Sequence, residues 1–235
     1  MESVKQQLVI DCNETSQKEL NEQIREAAKK GIKEVVIKNP YARHNLGVGI
    51  TDPIHLVYEG DVGYYASSLC DLISAIVKGN AGWAIGENLM NGEIIVEGNA
   101  ASSTAASMRG GTVVVKGSSG ARTGIGLKGG TLIVGGDVGY MTGFMMQKGK
   151  MIICGNAGKA LGDSMYDGTI YVAGEIAELG NGTEIVECEK KEYEEIKSLL
   201  EFYGVAVPAS FKKIVCNGML HNFNKKEFGV WKTVL

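Results

Sequence analysis

The sequence predicts an all-β solenoid, a right-handed parallel β-helix of about seven coils, and three observations predict it. Glycine supplies 33 of the 235 residues and proline only 3, a balance that excludes collagen and proline-rich disorder. Of those glycines, 27 lie between Gly60 and Gly182. Short apolar runs recur there at a fixed spacing, with no helix-length segment between them.

The repeat unit is 19 residues long and runs without insertion or deletion. Its marker glycines are Gly60, Gly79, Gly98, Gly117, Gly136, Gly155 and Gly174. An Asp, Asn or Ser follows each marker from Gly60 to Gly155, and an apolar residue stands ten positions after it. A fixed period of this length indicates a solenoid, in which every repeat stacks on the next. We expect the glycines at corners, where positive φ and close backbone approach favour them.

Each repeat contains one run of β-forming residues bounded by glycine. These runs are 93–96, 112–115, 131–134, 150–153 and 169–172. They are too short for helices and fit strands, which stack about 4.8 Å apart in successive coils. Left-handed helices built on hexapeptides have a period near 18, so the period of 19 favours the right-handed form.

The strand residues predict a second apolar surface besides the interior. Residues 15 and 17 positions after each marker are apolar and face inward, but the residue between them is apolar too. This outer stripe consists of Ile76, Ile95, Val114, Ile133, Ile152 and Tyr171. Such a stripe exceeds what a soluble monomer normally exposes. Either the flanks of this chain or another protein of a complex must cover it, and self-association through the stripe is a further expectation.

The flanks divide the chain into three predicted regions. Residues 1–45 form an α/β cap, in which a helix over 16–30 is framed by a Ser16–Glu19 capping box and by Gly31. Strands at 8–12 and 34–38 complete this βαβ unit, which we expect to cover the open end of the stack. Residues 46–186 form the β-helix. Residues 187–235 form a helix over 189–205 and an irregular tail.

The net charge and the cysteine content indicate which partners and which cellular compartment suit the chain. A net charge of −3 gives no electrostatic case for nucleic acid or an anionic membrane. No apolar run approaches the roughly 18 residues that span a bilayer. The 5 cysteines are scattered, which favours free thiols and a cytoplasmic location over a disulfide framework or a zinc site.

The sequence contains no pattern typical of catalytic residues, cofactor-binding residues or metal ligands. His44, His55 and His221 lie on separate segments without a ligand pattern. The glycine-rich strings recur in every coil and open no helix, so a phosphate-binding loop has no basis. Arg109 and Lys128 form a stacked basic pair that we interpret as solvated. The segment 43–47 is interpreted as a junction or interface element, with ligand contact as the alternative.

The repeated columns G-[ND]-x-G-x3-G-x2-[LM]-x-G-G-T resemble the GXGXG domain, the C-terminal β-helix of the glutamate synthase large subunit, over residues 39–186. The preceding cap is similar to stand-alone versions of that domain. The same β-helix is similar to the β-helical subunit of formylmethanofuran dehydrogenase. The resemblance implies a bracing domain that holds no cofactor and works beside amidotransferase and FMN/iron–sulfur chains.

These observations lead to a non-catalytic scaffolding subunit of a glutamate synthase-like oxidoreductase, with no activity of its own. One alternative is the equivalent subunit of a formylmethanofuran dehydrogenase, beside a molybdopterin-containing chain. An alternative of another class is a free-standing carbohydrate-active β-helix, which would need stacked carboxylates in a groove.

Overall fold

The computed structural model describes residues 7–218, and its strands form a single sheet along the whole molecule. The elements in chain order are β1 (Gln7–Asp11), α1 (Gln17–Lys29), β2 (Glu34–Lys38), β3 (Ile54–Glu59), β4 (Ile73–Val77), β5 (Gly92–Val96), β6 (Thr112–Val115), β7 (Thr131–Val134), β8 (Lys150–Ile153), β9 (Thr169–Val172), β10 (Thr183–Val186), α2 (Lys190–Tyr203) and β11 (Lys212–Cys216).

The parallel β-helix predicted from the repeat is confirmed. Strands β3 to β9 pair in parallel in chain order, and each residue faces the one 19 positions later, as in Ile94 opposite Val113. A second line of parallel bridges joins consecutive coils from Val62 to Ile176. These two ladders hold the coils in a fixed register, and about seven turns result. The handedness stays a prediction.

The core is one continuous column of apolar side chains inside the coils. The residues 10, 15 and 17 positions after the markers are fully buried in every coil from the second to the sixth, for example Leu89, Ile94 and Val96. Burying side chains of this size contributes about 1.5–3 kcal/mol each. The inward columns predicted from strand alternation are therefore the core that holds the stack together.

The N-terminal βαβ unit extends the sheet and closes the first coil. Strands β1 and β2 pair in parallel, and β2 pairs with β3. The capping box at the start of α1 is formed, since Glu19 N–H donates to Ser16 Oγ and Ser16 N–H donates to Glu19 Oε2. Leu20, Ile24 and Ala27 of α1 are buried in the same core as the coils. The helix thus covers apolar side chains that the end of the stack leaves open.

The C-terminal end differs from the expected irregular tail. Residues 212–216 form β11, which lies antiparallel between β9 and β10. Ile214 is fully buried and pairs with Ile170 on one side and Ile185 on the other. Strand β9 is the last parallel strand, and because β11 pairs with its other edge, β9 is hydrogen-bonded to a strand on both sides. The rest of the predicted tail, including His221, lies outside the described residues.

The division into 1–45, 46–186 and 187–235 stays a prediction, although one core cluster extends from Ile10 to Ile214. Neither helix in the described part of the chain has the length and apolar character that crossing a membrane requires.

Most marker glycines are explained by the close backbone approach that we expected, and not by the positive φ that we expected beside it. Only Gly60 among the seven has a positive φ, of 139°. A Cβ on Gly117 would lie within 3 Å of Asn99 Oδ1 and of the carbonyl oxygen of Gly98, one coil below. The markers are glycine because consecutive coils touch there. Positive φ occurs instead in other columns, such as Gly124 and Gly143.

Candidate interaction surface

The column that follows the marker glycines forms a hydrogen-bonded ladder rather than an acidic groove. The side-chain oxygen of each residue accepts from the backbone N–H of its counterpart one coil later, through Asp61, Asn80, Asn99, Ser118, Asp137 and Asn156. The distances run from 2.6 to 3.1 Å. Asp61 and Asp137 are four coils apart, roughly 19 Å. The nearest carboxylates of the column are Asp137 and Glu175, two coils or roughly 10 Å apart, whereas paired carboxylates of glycosidases lie about 5–9.5 Å apart. Both are also engaged, because Asp137 accepts from Asn156 N–H and Glu175 pairs with Lys212.

The described residues show no cluster of three or more His, Cys, Asp or Glu side chains placed to hold a metal ion. All five cysteines are free. Burial raises the pKa of Cys70 to about 11 and that of Cys154 to about 11. Since the thiolate is the reactive form of cysteine, neither residue is activated as a nucleophile.

His44, His55 and the predicted junction segment have structural partners, and Tyr64 N–H donates to His44 Nδ1 at 2.9 Å. His55 Nδ1 lies 3.0 Å from Ser74 Oγ. The segment 43–47 is fixed to α1, because Asn21 donates to the carbonyl of Asn45 at 2.8 Å and accepts from Gly47 N–H at 2.7 Å. The segment therefore joins the cap to the first coil, as the junction interpretation expected.

The outer stripe is covered over four of its six residues by this chain's own C-terminal flank. Val114, Ile133, Ile152 and Tyr171 are at most 3% exposed. They pack in one cluster with Ile196 and Leu200 of α2 and with Val205 and Phe211 beyond it. Ile76 and Ile95 are half-buried. Of the two coverings that the sequence left open, the structure shows the flank over these four residues, so they are not available to a partner.

Polar contacts at both ends fix α2 on the stripe. Tyr171 donates to Glu192 Oε1 at 2.9 Å, and Lys213 Nζ donates to the same oxygen at 2.6 Å. At the far end, Tyr203 donates to Glu93 Oε1 at 2.7 Å. Burial, followed by the Glu93 carboxylate, raises the pKa of Tyr203 to about 12. Burial opposes ionisation of Glu192, but hydrogen bonds from Lys213, Glu189 N–H and Tyr171 lower its pKa overall.

A shallow cavity of about 290 Å³ lies near the start of α2, lined by Cys188, Lys190, Tyr193 and Phe211. Glu187, Ala209 and Ser210 complete its lining, which mixes polar and apolar side chains.

A different part of the surface is exposed and rich in aromatic side chains. The loop face comprises residues 64–72, 83–91, 102–110, 121–129, 140–148 and 159–167, the non-strand side of each coil. At its N-terminal end lies an aromatic stack of His44, Tyr64 and Trp83. The ring centroids of His44 and Tyr64 are 4.3 Å apart, and those of Tyr64 and Trp83 are 5.4 Å apart, with interplanar angles of 15° and 22°.

The middle part of the loop face, over residues 102–148, is basic. The basic set of the loop face consists of Arg109, Arg122, Lys128, Lys148 and Lys159. Within residues 7–218 none of these five side chains forms an ion pair. The loop segments 102–110, 121–129 and 140–148 contain no Asp or Glu. The middle of the loop face is therefore cationic although the whole chain has a net charge of −3.

The sequence pointed to Arg109 and Lys128 on this surface and to His44 beside it, but not to the aromatic stack. Tyr64 and Trp83 occupy the same column, four positions after their markers, and this spacing was the available signal. The repeat is recognised from residues that all coils have in common. This surface consists of residues that differ from one coil to the next, so the repeat pattern does not predict it.

Comparison with known proteins finds one local similarity. A segment of 58 residues is 36% identical to protein GlxC of Rhizobium meliloti (strain 1021). The matched segment covers 25% of this chain and 25% of that protein. No protein-family model matches the chain. The similarity covers a fraction of each protein, so it does not assign this chain to a family.

Proposed function

We propose that this chain is a non-catalytic subunit that scaffolds a glutamate synthase-like multi-subunit oxidoreductase. The carrying observation is the uninterrupted 19-residue repeat with GXGXG-type columns, folded as a parallel β-helix. The local similarity to protein GlxC is in keeping with a glutamate synthase-associated role. The amidotransferase and FMN/iron–sulfur chemistry then belongs to partner chains.

The regular stacking of the coils suits a bracing role. Each coil is tied to the next by two lines of parallel pairing and by the side-chain ladder. In a stack of this kind each coil contacts only its neighbours, and the spacing between coils is constant along the stack. A subunit with this architecture sets the distance between the chains bound along it.

The test is purification of the tagged full-length chain from its native cells, with identification of the chains and cofactors that accompany it. We expect an amidotransferase chain and an FMN-containing chain in stable proportion. A chain that elutes alone at native concentration, or only with itself, contradicts the proposal.

The same experiment separates the two alternatives. A molybdopterin-containing partner identifies the formylmethanofuran dehydrogenase type of complex. Binding of a glycan, with no protein partner, identifies the carbohydrate-active type. The carboxylates of the marker-adjacent column argue against the latter, because Asp61 and Asp137 accept hydrogen bonds in the ladder and Glu175 pairs with Lys212, so the column offers no free carboxylate pair.

A further inference from the structure

The loop face changes character along the stack in two separate columns. Four positions after the markers, the residues are Tyr64, Trp83, Ser102, Ala121, Tyr140 and Lys159. Eleven positions after them, the residues are Asp71, Met90, Arg109, Lys128, Gln147 and Tyr166. The first column is aromatic in the early coils and ends on a lysine, and the second carries its two cations in the middle coils. The loop face therefore has an aromatic end and a cationic part beside it.

The column of Trp83 also contains a notch. Ser102 and Ala121 are small, and they lie between Trp83 and Tyr140, which are three coils or about 14 Å apart. Trp83 is 54% exposed and Tyr140 is 51% exposed. Tyr64, one coil earlier in the column, stacks against Trp83, and Ser102 follows Trp83 one coil later. An inserted side chain from another molecule has room between the two aromatic residues.

The arrangement of the rings distinguishes among kinds of partner. Single-stranded nucleic acid stacks successive bases on aromatic side chains. Here His44 and Trp83 lie against the Tyr64 ring, and Ser102 and Ala121 supply no aromatic face in the two coils after Trp83. Trp, Tyr, Met and Arg are instead the residue types that are enriched at protein–protein interfaces. Met90 and Met145 add to the exposed apolar area on this face. These features favour a protein partner.

The charges indicate the chemistry of that partner. Four cations lie in three loop segments that contain no carboxylate, and none of them forms an ion pair in the described chain, so the field over the middle coils is positive. These cations are Arg109, Arg122, Lys128 and Lys148. Complementary potentials favour an acidic surface opposite such a field and raise the association rate. An arginine beside a desolvated aromatic side chain is the combination found at the centres of binding energy.

We propose that the loop face is the docking surface for an acidic face of a catalytic partner chain, which inserts an apolar side chain between Trp83 and Tyr140 and places carboxylates against the basic set. This inference rests on the proposed function for the identity of the partner. It assigns binding to the side of the coil that carries no strands, whereas the strand side is occupied by α2.

The chain supplies its own conservative substitutions for the test, because each column shows which residues a coil accepts. Trp83→Ser and Tyr140→Ala introduce the residues that Ser102 and Ala121 already place in that column. Arg122→Ser and Lys128→Gln copy Ser103 and Gln147 in the same manner. Ala121→Trp fills the notch with a side chain that Trp83 shows to be tolerated. The control combines Phe202→Ser and Lys191→Gln on exposed positions of α2.

Tagged full-length variants are purified from native cells, and circular dichroism verifies that each has the wild-type fold. The wild-type complex is examined for hydrogen-exchange protection of peptides over 83–91, 121–129 and 140–148. We expect these peptides to be protected in complex with an identified partner of acidic surface. Recovery of that partner should fall at least about tenfold in the aromatic, basic and notch-filling variants and should be unchanged in the α2 control. Raising salt from about 50 to 500 mM should weaken wild-type binding.

The outcomes separate this inference from the proposed function. Equal recovery of an amidotransferase or FMN chain by wild type and loop-face variants overturns the inference and leaves the proposed function standing. If only the loop-face variants lose the partner, and that partner is an acidic chain that is neither an amidotransferase nor an FMN protein, the inference is supported and the proposed function is overturned. Recovery of no partner by wild type overturns both. Binding of single-stranded DNA that the same variants abolish overturns the assignment to a protein partner.

Discussion

At the scale of single residues, the marker glycines are selected by the coil beneath them. A Cβ on Gly79, Gly98 or Gly117 would collide with the side chain and backbone of the preceding coil. These glycines have ordinary negative or extended φ, so any residue would satisfy their backbone conformation. These positions have no room for a Cβ atom. The periodicity located these positions, but the reason for glycine depends on the distance between coils.

A matched pair of glycine substitutions distinguishes space from backbone strain. Gly117→Ala should lower the free energy of unfolding by at least about 3 kcal/mol, because its Cβ would meet Asn99 and Gly98. Gly126→Ala should cost only about 1–2 kcal/mol, because it adds left-handed strain but little contact. Its column mates Ser107 and Met145 already have positive φ. Urea unfolding monitored by circular dichroism measures both, and equal costs would contradict the spatial explanation.

At the scale of elements, α2 is an integral part of the β-helix because it covers the outer stripe. The sequence predicted a helix over 189–205, and the strand pattern predicted an apolar stripe that needs covering. Their pairing was not predictable, since Tyr203 and Glu93 are 110 residues apart in the chain. Strand β11 was missed for a similar reason: its pairing with β9 and β10 depends on the return of the chain after α2.

Truncating the buried face of α2 tests this coverage. Ile196→Ala should lower the free energy of unfolding by about 2–5 kcal/mol, because it leaves a cavity against the outer stripe. Phe202→Ala, at a side chain 78% exposed, should change stability by less than about 0.5 kcal/mol. Chemical denaturation of the two variants beside wild type provides the comparison. Similar values for the two would mean that α2 does not seal the stripe.

The Tyr203–Glu93 contact predicts an alkaline weakening of the same element. The pKa of Tyr203 is raised to about 12 in the folded chain, above its ordinary value near 10. The unfolded chain therefore loses this proton first, and the stabilising contribution is complete below pH 10 and is lost as pH rises toward 12. In Tyr203→Phe the free energy of unfolding should fall less steeply over that interval. Parallel curves for wild type and variant would contradict the assignment.

The Glu192 contact predicts the opposite sign at the other end of α2. Its pKa is lowered in the folded chain, so its contribution is present above the unfolded pKa and is lost as pH falls through the folded value. Glu192→Gln should reduce stability at neutral pH and flatten the acid limb. Acid titration followed by circular dichroism tests this, and an unchanged acid limb would exclude Glu192 as a contributor.

At the scale of the whole molecule, the stack is a one-dimensional array whose register is 19 residues. Every parallel pair from β3 to β9 keeps that offset. Because each coil contacts mainly its neighbours, removal of one complete unit should join two compatible surfaces. Removal of part of a unit should place polar corner residues in the core.

Deleting residues 64–82 removes one complete 19-residue coil and places Trp83 directly after Gly63. We expect a folded, shortened stack that unfolds cooperatively, since the two new neighbours have the same column pattern. Deleting residues 64–73, about half a coil, should abolish the fold because every later column is displaced. Thermal unfolding of both proteins decides the matter, and equal behaviour of the two deletions would refute the register requirement.

The sequence by itself determined the coil. The period, the inward columns and the strand runs appear directly in the residue order, because each is a local property that repeats in every unit. Tertiary structure decided what those coils meet: α2 on the outer stripe, β11 at the last strand, and Trp83 beside Tyr64 on the loop face. The contacts of α2 and β11 join residues whose separation in the chain follows no period, so only the folded arrangement brings them together.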